Sequence, residues 1–369
     1  LPFLSQKAAY YRELEAAVEV VEKACRICVH VQRNLSSKEG RIVEKNDQSP
    51  VTIADFGVQA LISLELGRQF PSILLVAEED SGYLRENNLV GAVVNVIAGE
   101  AINGGKPLVE SDVVEAIDRG GKKAVVNGDK PASYWVLDPI DGTRGFVEGT
   151  LYVVGLSLVV NGEIVLGVIG CPKWQRCAPC DPSADVSSGQ GIVMAAHVGF
   201  GTWSKGLFKN LDRSTELSDR WTRCSVDGSR SVSESSFCTS DNQTWDSLPL
   251  SALYGASTNA DEIGEKEILL LRVCCGSLSK YMMVALGRLS VYIQRSRPNK
   301  IIQTWDHASG QICVVEAGGK VSDWQGEDLD FAEDSVERRI MYPTGGILVT
   351  SGIVHDQILG IVSDTPAIV

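Results

Sequence analysis

The sequence predicts an α/β protein in which helices and strands alternate along the chain. Apolar residues recur every three or four positions in several segments, which is typical of amphipathic helices, while short β-rich apolar runs end at Gly, Asn or Asp. The composition agrees, because 44% hydrophobic residues, 22% charged residues and 36 glycines are usual for a globular α/β chain. A chain of 369 residues is long for one core, so we expect an N-terminal lobe over residues 1–170 and a C-terminal lobe over 171–369.

The elements of the N-terminal lobe follow from these patterns. The dipeptide Asn161-Gly162 between two apolar runs predicts a hairpin, because both residues tolerate positive φ. The predicted helices of this lobe cover residues 5–33, 52–70 and 111–119, and the predicted strands cover 72–77, 135–137, 153–160 and 163–169.

The C-terminal lobe is less regular at its start. Residues 210–247 are rich in Ser, Asp and Arg, so we expect a largely exposed excursion containing a strand fragment over 235–239. Further strands are predicted over 192–196, 201–208, 268–274, 289–293 and 346–350, and helices over 277–286, 306–317 and 353–362.

The segment Tyr134–Phe146 places two carboxylates, a backbone carbonyl and a hydroxyl at the end of an apolar run. A proline keeps the chain extended there, so Asp138 and Asp141 are expected to point the same way. Closely spaced oxygen ligands suit Mg²⁺, which proteins hold with a few carboxylates and the phosphate oxygens of a substrate. The amides of Gly142 and Thr143 are candidates for binding a phosphate, if they begin a helix.

Three further acids stand at the starts and ends of predicted elements. Asp55 lies in the first turn of the second helix, Glu78 follows the first strand, and Asp306 begins a late helix. Singly, each has an ordinary explanation as a helix cap or a solvated acid, and the Asp-Pro-Ile-Asp-Gly string has one as a surface turn. Together with Asp138 and Asp141, they predict a cage for two or three Mg²⁺ ions, which would relieve the repulsion among the acids.

Charge and hydropathy exclude two classes of protein. The formal net charge of −13 argues against a nucleic-acid binder, whose affinity depends on neutralising backbone phosphates. No apolar run approaches the length that crosses a bilayer, so no membrane partner is expected. An acidic protein still binds a phosphorylated small molecule when bound cations reverse the sign of its site.

The ten cysteines favour a reduced, soluble intracellular protein, because several lie in apolar helical or strand contexts. Cys25 and Cys28 form a CxxC pair on the apolar face of the first helix, where we expect them in the core. Cys177 and Cys180 form a second pair in a loop. A redox-sensitive thiol pair and a zinc site shared with the first CxxC are the alternatives for it.

Three stretches of the chain resemble the signatures of the inositol monophosphatase superfamily. They are Glu78-Glu79 after an apolar strand, Trp135 to Thr143, and Trp305-Asp306-His307 followed by Glu316-Ala-Gly-Gly319. Ser49 to Asp55, Arg144-Gly-Phe146 and Ser277 to Tyr281 are closer to the 3'(2'),5'-bisphosphate nucleotidase branch. The likeness covers roughly residues 7 to 362, and the three signatures together are highly specific.

The resemblance implies a layered α/β/α/β/α sugar-phosphatase fold and Mg²⁺-dependent removal of the 3'-phosphate from adenosine 3',5'-bisphosphate (PAP), which gives AMP. It implies that the metals are held by Glu78, Asp138, the main-chain oxygen of Ile140, Asp141 and Asp306. Asp55 and Thr143 would take a proton from the attacking water. The substrate contacts would come from Gly142, Thr143, Ser277, Lys280 and Arg295.

The same resemblance sets the expectations for partners and location. The partner would be a small phosphorylated nucleotide, with 3'-phosphoadenylyl sulfate as a second candidate substrate. We expect a monomer and, by likeness to plant mitochondrial-type members, a mitochondrial location, with plastid and cytosol as alternatives.

The chain departs from the nucleotidase pattern on the substrate side. Val147–Tyr152 and Ala256–Asn259 replace segments that usually carry basic or histidine residues, and Gln294 stands where an arginine is usual, with Arg295 one step later. Two alternative functions therefore stay open. One is an inositol polyphosphate 1-phosphatase, with Lys280 and Arg295 binding ring phosphates, and the other is a weakly active sensor that retains PAP.

Overall fold

The computed structural model of the chain describes residues 1–34, 42–44, 50–101, 107–121, 133–174, 191–208, 220–240, 270–273, 276–296, 301–332, 334 and 336–363. Helices α1 to α9 cover Tyr11–Arg33, Ile53–Gln69, Gly82–Glu86, Val90–Ile97, Glu110–Gly120, Thr143–Glu148, Leu278–Ala285, Ala308–Glu316 and His355–Ser363. Strands β1 to β16 cover Ile42–Glu44, Pro50–Thr52, Leu74–Ala77, Ser133–Asp141, Val153–Val160, Glu163–Cys171, Ile192–His197, Gly201–Gly206, Thr222–Arg223, Phe237–Ser240, Leu270–Val273, Val291–Arg295, Ile302–Gln303, Lys320–Asp323, Ile340–Met341 and Gly346–Thr350.

The first large sheet has seven strands in the order β3-β4-β5-β6-β7-β8-β9. β3 and β4 are parallel, and every later pair is antiparallel. The predicted hairpin is confirmed, because Asn161 and Gly162 join β5 to β6 with φ angles of 54° and 90°. Both faces of the central strands are buried, which explains why these strands are continuous apolar runs rather than alternating ones.

Helices cover both faces of this sheet. Leu156 and Val168 pack into a core shared with α1, α2, α4 and α5. Val153 and Ile169 point to the opposite face and pack into a second core shared with α7 and α8. The α7 and α8 pair therefore forms a middle layer.

The second large sheet has five strands in the order β11-β10-β12-β16-β14. Tyr292 and Val349 face the middle layer of helices, whereas Ile293 and Leu348 face α9. The layers therefore run α/β/α/β/α, which is the predicted fold. The seven-stranded sheet continues past residue 171 to Arg223, so the division into lobes at 170/171 stays a prediction.

The structure differs from the expectations in several places. α1 begins at Tyr11 rather than at residue 5, and α3 and α4 were not predicted because they are short. The expectation of a largely exposed excursion is wrong for the end of the 210–247 segment, because β10 lies inside the second sheet with Phe237 and Cys238 fully buried. The predicted strand fragment over 235–239 corresponds to β10, but the flanking serines make the segment polar in composition and hide its burial. Within the described ranges, no helix is long and apolar enough to cross a membrane.

Candidate metal centre and active site

A β-bulge in β4 brings two of the predicted acids to one face of the sheet. Unbroken alternation would turn Asp141 away from Asp138, since residues three apart in a strand face opposite sides. The pairing of Asp138 with Gly155 and of Asp141 with Val153 leaves one extra residue on β4. Ile140 consequently packs into the first core. The expected common direction of the two acids is therefore achieved by the bulge, and an extended chain alone does not explain it.

Asp138, Asp141 and Asp306 form a compact cluster of acids. Each offers one carboxylate oxygen such that the three oxygens lie within 4.8 Å of one another. Burial raises the pKa of Asp138 well above its ordinary value, and the charges of Glu78, Asp141, Asp306 and Asp55 raise it further. The other four acids singled out in the sequence therefore all act on this one carboxylate.

Asp141 is held by the N-terminus of α7. Its Oδ1 accepts the Ser277 amide at 2.9 Å, and its Oδ2 accepts the Leu278 amide at 2.7 Å. Burial raises the pKa of Asp141 to about 6, although the Lys280 ammonium and these two amides oppose the rise. Gly276 permits this close approach, because its φ is +76° and a Cβ there would lie 2.4 Å from an Asp141 oxygen.

The donor set fits an ion that prefers oxygen ligands. Asp138 Oδ1 is buried and has no hydrogen-bond partner among the residues that the structure describes. A buried, unpaired carboxylate oxygen is costly unless a cation satisfies it. Since all the candidate ligands are oxygens, hard divalent cations suit the site better than metals that select sulfur or imidazole.

Thr143 and Asp55 meet beside this cluster, and their part in proton transfer stays a prediction. The Thr143 hydroxyl lies 3.3 Å from Asp55 Oδ1 and 3.2 Å from the main-chain oxygen of Ile140, and it can donate to either. Asp55 Oδ2 accepts both the amide and the hydroxyl of Thr52 at 2.7 Å, as a cap of α2. The capping role and the contact with Thr143 therefore coexist, each on its own oxygen.

Asp306 is placed by a tight turn before α8. The amides of His307 and Ala308 both donate to the Thr304 carbonyl, at 3.2 and 3.0 Å. Thr304 is in turn anchored to the Arg338 carbonyl through its hydroxyl at 2.9 Å. The half-buried Asp306 thus projects from a fixed backbone.

Polar side chains of α7 and β12 form a wall next to the acids. Lys280 is 1% exposed, donates to the Gly276 carbonyl and lies 5.9 Å from the centre of the Tyr292 ring. The Tyr292 hydroxyl donates to the Gln294 side-chain oxygen. Burial raises the pKa of Tyr292, and hydrogen bonding to Ser277 partly offsets this. Ser277 and Lys280 were predicted from the sequence as substrate contacts. They lie together with Tyr292 and Gln294, which were not predicted as contacts.

Arg295 lies on the other face of the second sheet. Its guanidinium is 5.7 Å from the centre of the Trp324 ring, and Trp324 belongs to the core under α9. Neighbouring residues of a strand point to opposite faces, so Gln294, not Arg295, shares the face of Tyr292. The predicted substrate contact of Arg295 therefore stays a prediction.

Comparison with known proteins places the chain in a family. The model of the inositol monophosphatase family matches residues 7–366, almost the whole chain. The protein belongs to the inositol monophosphatase family. Members of this family are metal-dependent hydrolytic phosphatases.

Relatives in this family include several plant proteins. A protein of Arabidopsis thaliana named as a mitochondrial 3'(2'),5'-bisphosphate nucleotidase is 54% identical over 365 residues, which is 98% of this chain and 89% of the relative. Another, 3',5'-bisphosphate nucleotidase 2 of the same organism, is 34% identical, with 93% of each chain covered.

Solved structures of the family share the fold. The extragenic suppressor protein suhB of Bartonella henselae matches with a TM-score of 0.59 at 18% identity, covering 96% of this chain and all of that one. CysQ of Bacteroides thetaiotaomicron matches with a TM-score of 0.54 at 20% identity, covering 93% and 98%.

Several residues around the centre of this family member were missed in the sequence. Gly276, Tyr281, Tyr292 and His307 touch the acids or the elements that carry them. The Trp-Asp-His string was recognised, but only its aspartate was given a role. Tyr281 lies in the Ser277–Tyr281 stretch that was also recognised, but it was given no role, and nothing in the local sequence around Gly276 and Tyr292 singled them out. Cys25 and Cys28 are buried in the first core as expected, whereas Cys177 and Cys180 lie outside the described residues.

Proposed function

We propose that the protein is a Mg²⁺-dependent phosphomonoesterase that removes the 3'-phosphate of PAP to give AMP, with 3'-phosphoadenylyl sulfate as a second substrate. The observation that carries the proposal is the cluster of Asp138, Asp141 and Asp306 beside the Thr143–Asp55 pair. The names of the plant relatives support the choice of nucleotide.

The proposed Mg²⁺ ligands are the side chains of Glu78, Asp138, Asp141 and Asp306 and the main-chain oxygen of Ile140. When bound at such a site, divalent ions activate a water, neutralise the transferring phosphoryl group and stabilise the leaving oxygen. The unpaired Oδ1 of Asp138 supports this assignment, because nothing else in the described part of the chain satisfies it.

Thr143 and Asp55 would manage the proton of the attacking water. A threonine hydroxyl is a weak base, so it accepts that proton only if its own proton moves to a better acceptor. Asp55 Oδ1 lies 3.3 Å away in the right place. Because Asp55 Oδ2 is engaged with Thr52, the orientation of Oδ1 toward Thr143 is fixed by the cap of α2.

The substrate would lie between α6 and α7. The Gly142 and Thr143 amides begin α6 and would donate to the scissile phosphate, while Ser277 and Lys280 would contact the remainder of the nucleotide. Arg295 would reach the same substrate only around the end of β12, because its side chain stacks on Trp324.

A phosphate-release screen tests this function. The purified protein would be incubated with PAP, 3'-phosphoadenylyl sulfate, inositol 1,4-bisphosphate and inositol 1-phosphate, each with Mg²⁺ and with EDTA. We expect PAP to have the highest kcat/KM and EDTA to abolish release. Preference for an inositol phosphate would overturn the substrate assignment, and tight PAP binding without turnover would support the sensor.

Location and assembly are also proposed. We infer a mitochondrial protein, because one relative is named for that organelle, and a monomer. Fluorescent tagging of the full-length gene product in plant cells and light scattering of the purified protein test the two statements separately.

A further inference from the structure

The two helices of the middle layer each begin next to an acid of the cluster. α7 begins at the residues whose amides hold Asp141, and α8 begins directly after Asp306 and His307. The distance between Asp141 and Asp306 therefore depends on how these two helix ends are joined.

A buried hydrogen bond joins them. The Tyr281 hydroxyl, from the first turn of α7, lies 3.0 Å from Nδ1 of His307, the residue that precedes α8. Both side chains are buried, and their rings meet edge to face with centroids 5.7 Å apart. The bond is thus shielded from water, where a hydrogen bond is electrostatically stronger than at the surface.

The fit of Tyr281 against α8 is close. A Cβ at Gly310 would lie 2.5 Å from Cγ of Tyr281, so the ring rests directly on the backbone of α8. Tyr292 meets the ring from the other side, with centroids 5.6 Å apart. These contacts fix the ring, so the Tyr281 hydroxyl is held where it hydrogen-bonds His307.

We propose that the Tyr281–His307 hydrogen bond sets the separation of Asp141 and Asp306 and so preorganises the metal ligands. Without a cation the carboxylates repel one another, and a fixed link between their supporting helices resists that repulsion. Tyr281 is fully buried and its hydroxyl is engaged with His307, so we assign it the role of a positioning residue. This inference rests on the proposed metal site.

Direct titration of Mn²⁺ into the metal-free protein, with free Mn²⁺ counted by electron paramagnetic resonance, tests the inference without relying on turnover. We expect Tyr281→Phe to weaken Mn²⁺ binding about fivefold to tenfold, the scale of a lost hydrogen bond behind a metal ligand. The Mg²⁺ concentration for half-maximal activity should rise by a similar factor, while KM for PAP at saturating Mg²⁺ stays unchanged.

Tyr152→Phe is the matched control. Tyr152 is also fully buried, but its hydroxyl has no hydrogen-bond partner among the described residues. The same atom is removed, and we expect Mn²⁺ affinity to stay within twofold of wild type. Melting temperatures of both variants show whether folding is preserved.

His307 supplies a second test from the other side of the bond. His307→Asn keeps a polar atom near the position of Nδ1 and should retain most of the Mn²⁺ affinity, whereas His307→Leu should lose as much as Tyr281→Phe. The Tyr281→Phe/His307→Leu double variant should be no weaker than either single variant, because one bond is lost in each.

The outcomes separate this inference from the proposed function. Wild-type Mn²⁺ affinity in Tyr281→Phe, or fully additive losses in the double variant, would overturn the positioning role. Mn²⁺ binding that follows the expected pattern in a protein that does not hydrolyse PAP would overturn the proposed substrate and leave the positioning role standing.

Discussion

The acid cluster and the polar wall beside it are built in different ways. The acids Asp138 and Asp141 come from one strand within four positions, and their chemistry requires carboxylates. The wall combines Ser277 and Lys280 of α7 with Tyr292 and Gln294 of β12, and its composition depends on which face each side chain takes. The need for carboxylates can be recognised in the sequence, whereas packing decides which way each side chain of the wall points.

The two regions also differ in electrostatics. Burial and mutual repulsion raise the pKa of both Asp138 and Asp141, so the cluster is poised to accept a cation. The wall carries the Lys280 ammonium, which lowers the pKa of Asp141 and is proposed to contact the anionic substrate. Changes in the first region should therefore abolish turnover, and changes in the second should alter KM.

The largest expected effect is in the cluster. Asp138→Asn and Asp141→Asn should each lower kcat by at least about 10⁴-fold, because losing the ion removes both the activation of water and charge neutralisation, each worth about 10²-fold or more. Phosphate release at saturating Mg²⁺ measures this.

The Asp138→Asn and Asp141→Asn variants should differ in thermal stability, because the two carboxylates differ in their hydrogen bonding. Asp138→Asn removes a buried, unpaired charge and should raise the melting temperature of the metal-free protein by a few degrees. Asp141→Asn leaves one amide at the start of α7 without an acceptor, which costs about 1–3 kcal/mol. This variant should therefore lower the melting temperature. Equal melting temperatures would contradict the contrast.

The next effect concerns the proton pair. Thr143→Val keeps the shape of the side chain and removes the hydroxyl, so kcat should fall about 10²- to 10³-fold with Mn²⁺ affinity retained. Thr150→Val is the control, because its hydroxyl bonds the Gly145 carbonyl at 3.3 Å and takes no part in the cluster. A similar loss in both variants would show that Thr143 acts through the fold.

A smaller effect is expected in the wall. Lys280→Met removes the ammonium and keeps the buried volume, so KM for PAP should rise about tenfold, the scale of one lost charge-assisted contact, with kcat nearly unchanged at saturating Mg²⁺. Steady-state kinetics measures both constants. If kcat fell by as large a factor as KM rose, Lys280 would contribute to the chemical step as well as to substrate binding, and the proposed division of roles between cluster and wall would be wrong.

Variants of Gln294 and Arg295 test which of these two β12 residues belongs to the polar wall. Because Gln294 shares the face of Tyr292 and Arg295 stacks on Trp324, Gln294→Ala should raise KM about threefold to fivefold, as expected for one neutral hydrogen bond. Arg295→Ala should change KM less than twofold. The reverse order would restore the substrate contact predicted for Arg295.

The smallest effect is a pH dependence of metal stabilisation. The pKa of Asp141 is about 6 in the folded protein, above its ordinary value near 3.8. Between these pH values the folded state holds more protons than the unfolded state, so the stability of the metal-free protein falls as pH rises through this range.

Bound Mg²⁺ competes with those protons, and its stabilising effect should therefore grow as the carboxylates ionise. We expect the rise in melting temperature on adding Mg²⁺ to be larger at pH 7 than at pH 5. Differential scanning fluorimetry with Mg²⁺ and with EDTA measures the difference. An equal rise at both values would contradict the raised pKa values.

Many features of this protein could be predicted from the sequence, namely those for which the local conformation or the chemistry allows only a few residue types. The Asn161-Gly162 hairpin follows from positive φ, and α2 follows from the apolar residues that recur every three or four positions over 52–70. The acids Asp138, Asp141 and Asp306, which are the proposed metal ligands, were recognisable because few residues other than carboxylates serve a hard cation. The strand fragment at β10 was predicted as well, but its burial inside the second sheet was not, because its neighbours in the sheet are far away in the chain.

Sequence alone was sufficient for the α/β class, the identity of the acids and the chemistry they share, since these depend on apolar periodicity and on ligand hardness, while the order of layers was implied by the resemblance to the inositol monophosphatase superfamily. Folding decided what no local pattern encodes: the bulge that turns Asp141 beside Asp138, the amides of α7 that hold it, and the opposite directions of Gln294 and Arg295. These features arise from contacts between distant segments, where a shift of one residue in register reverses which side chain faces the site.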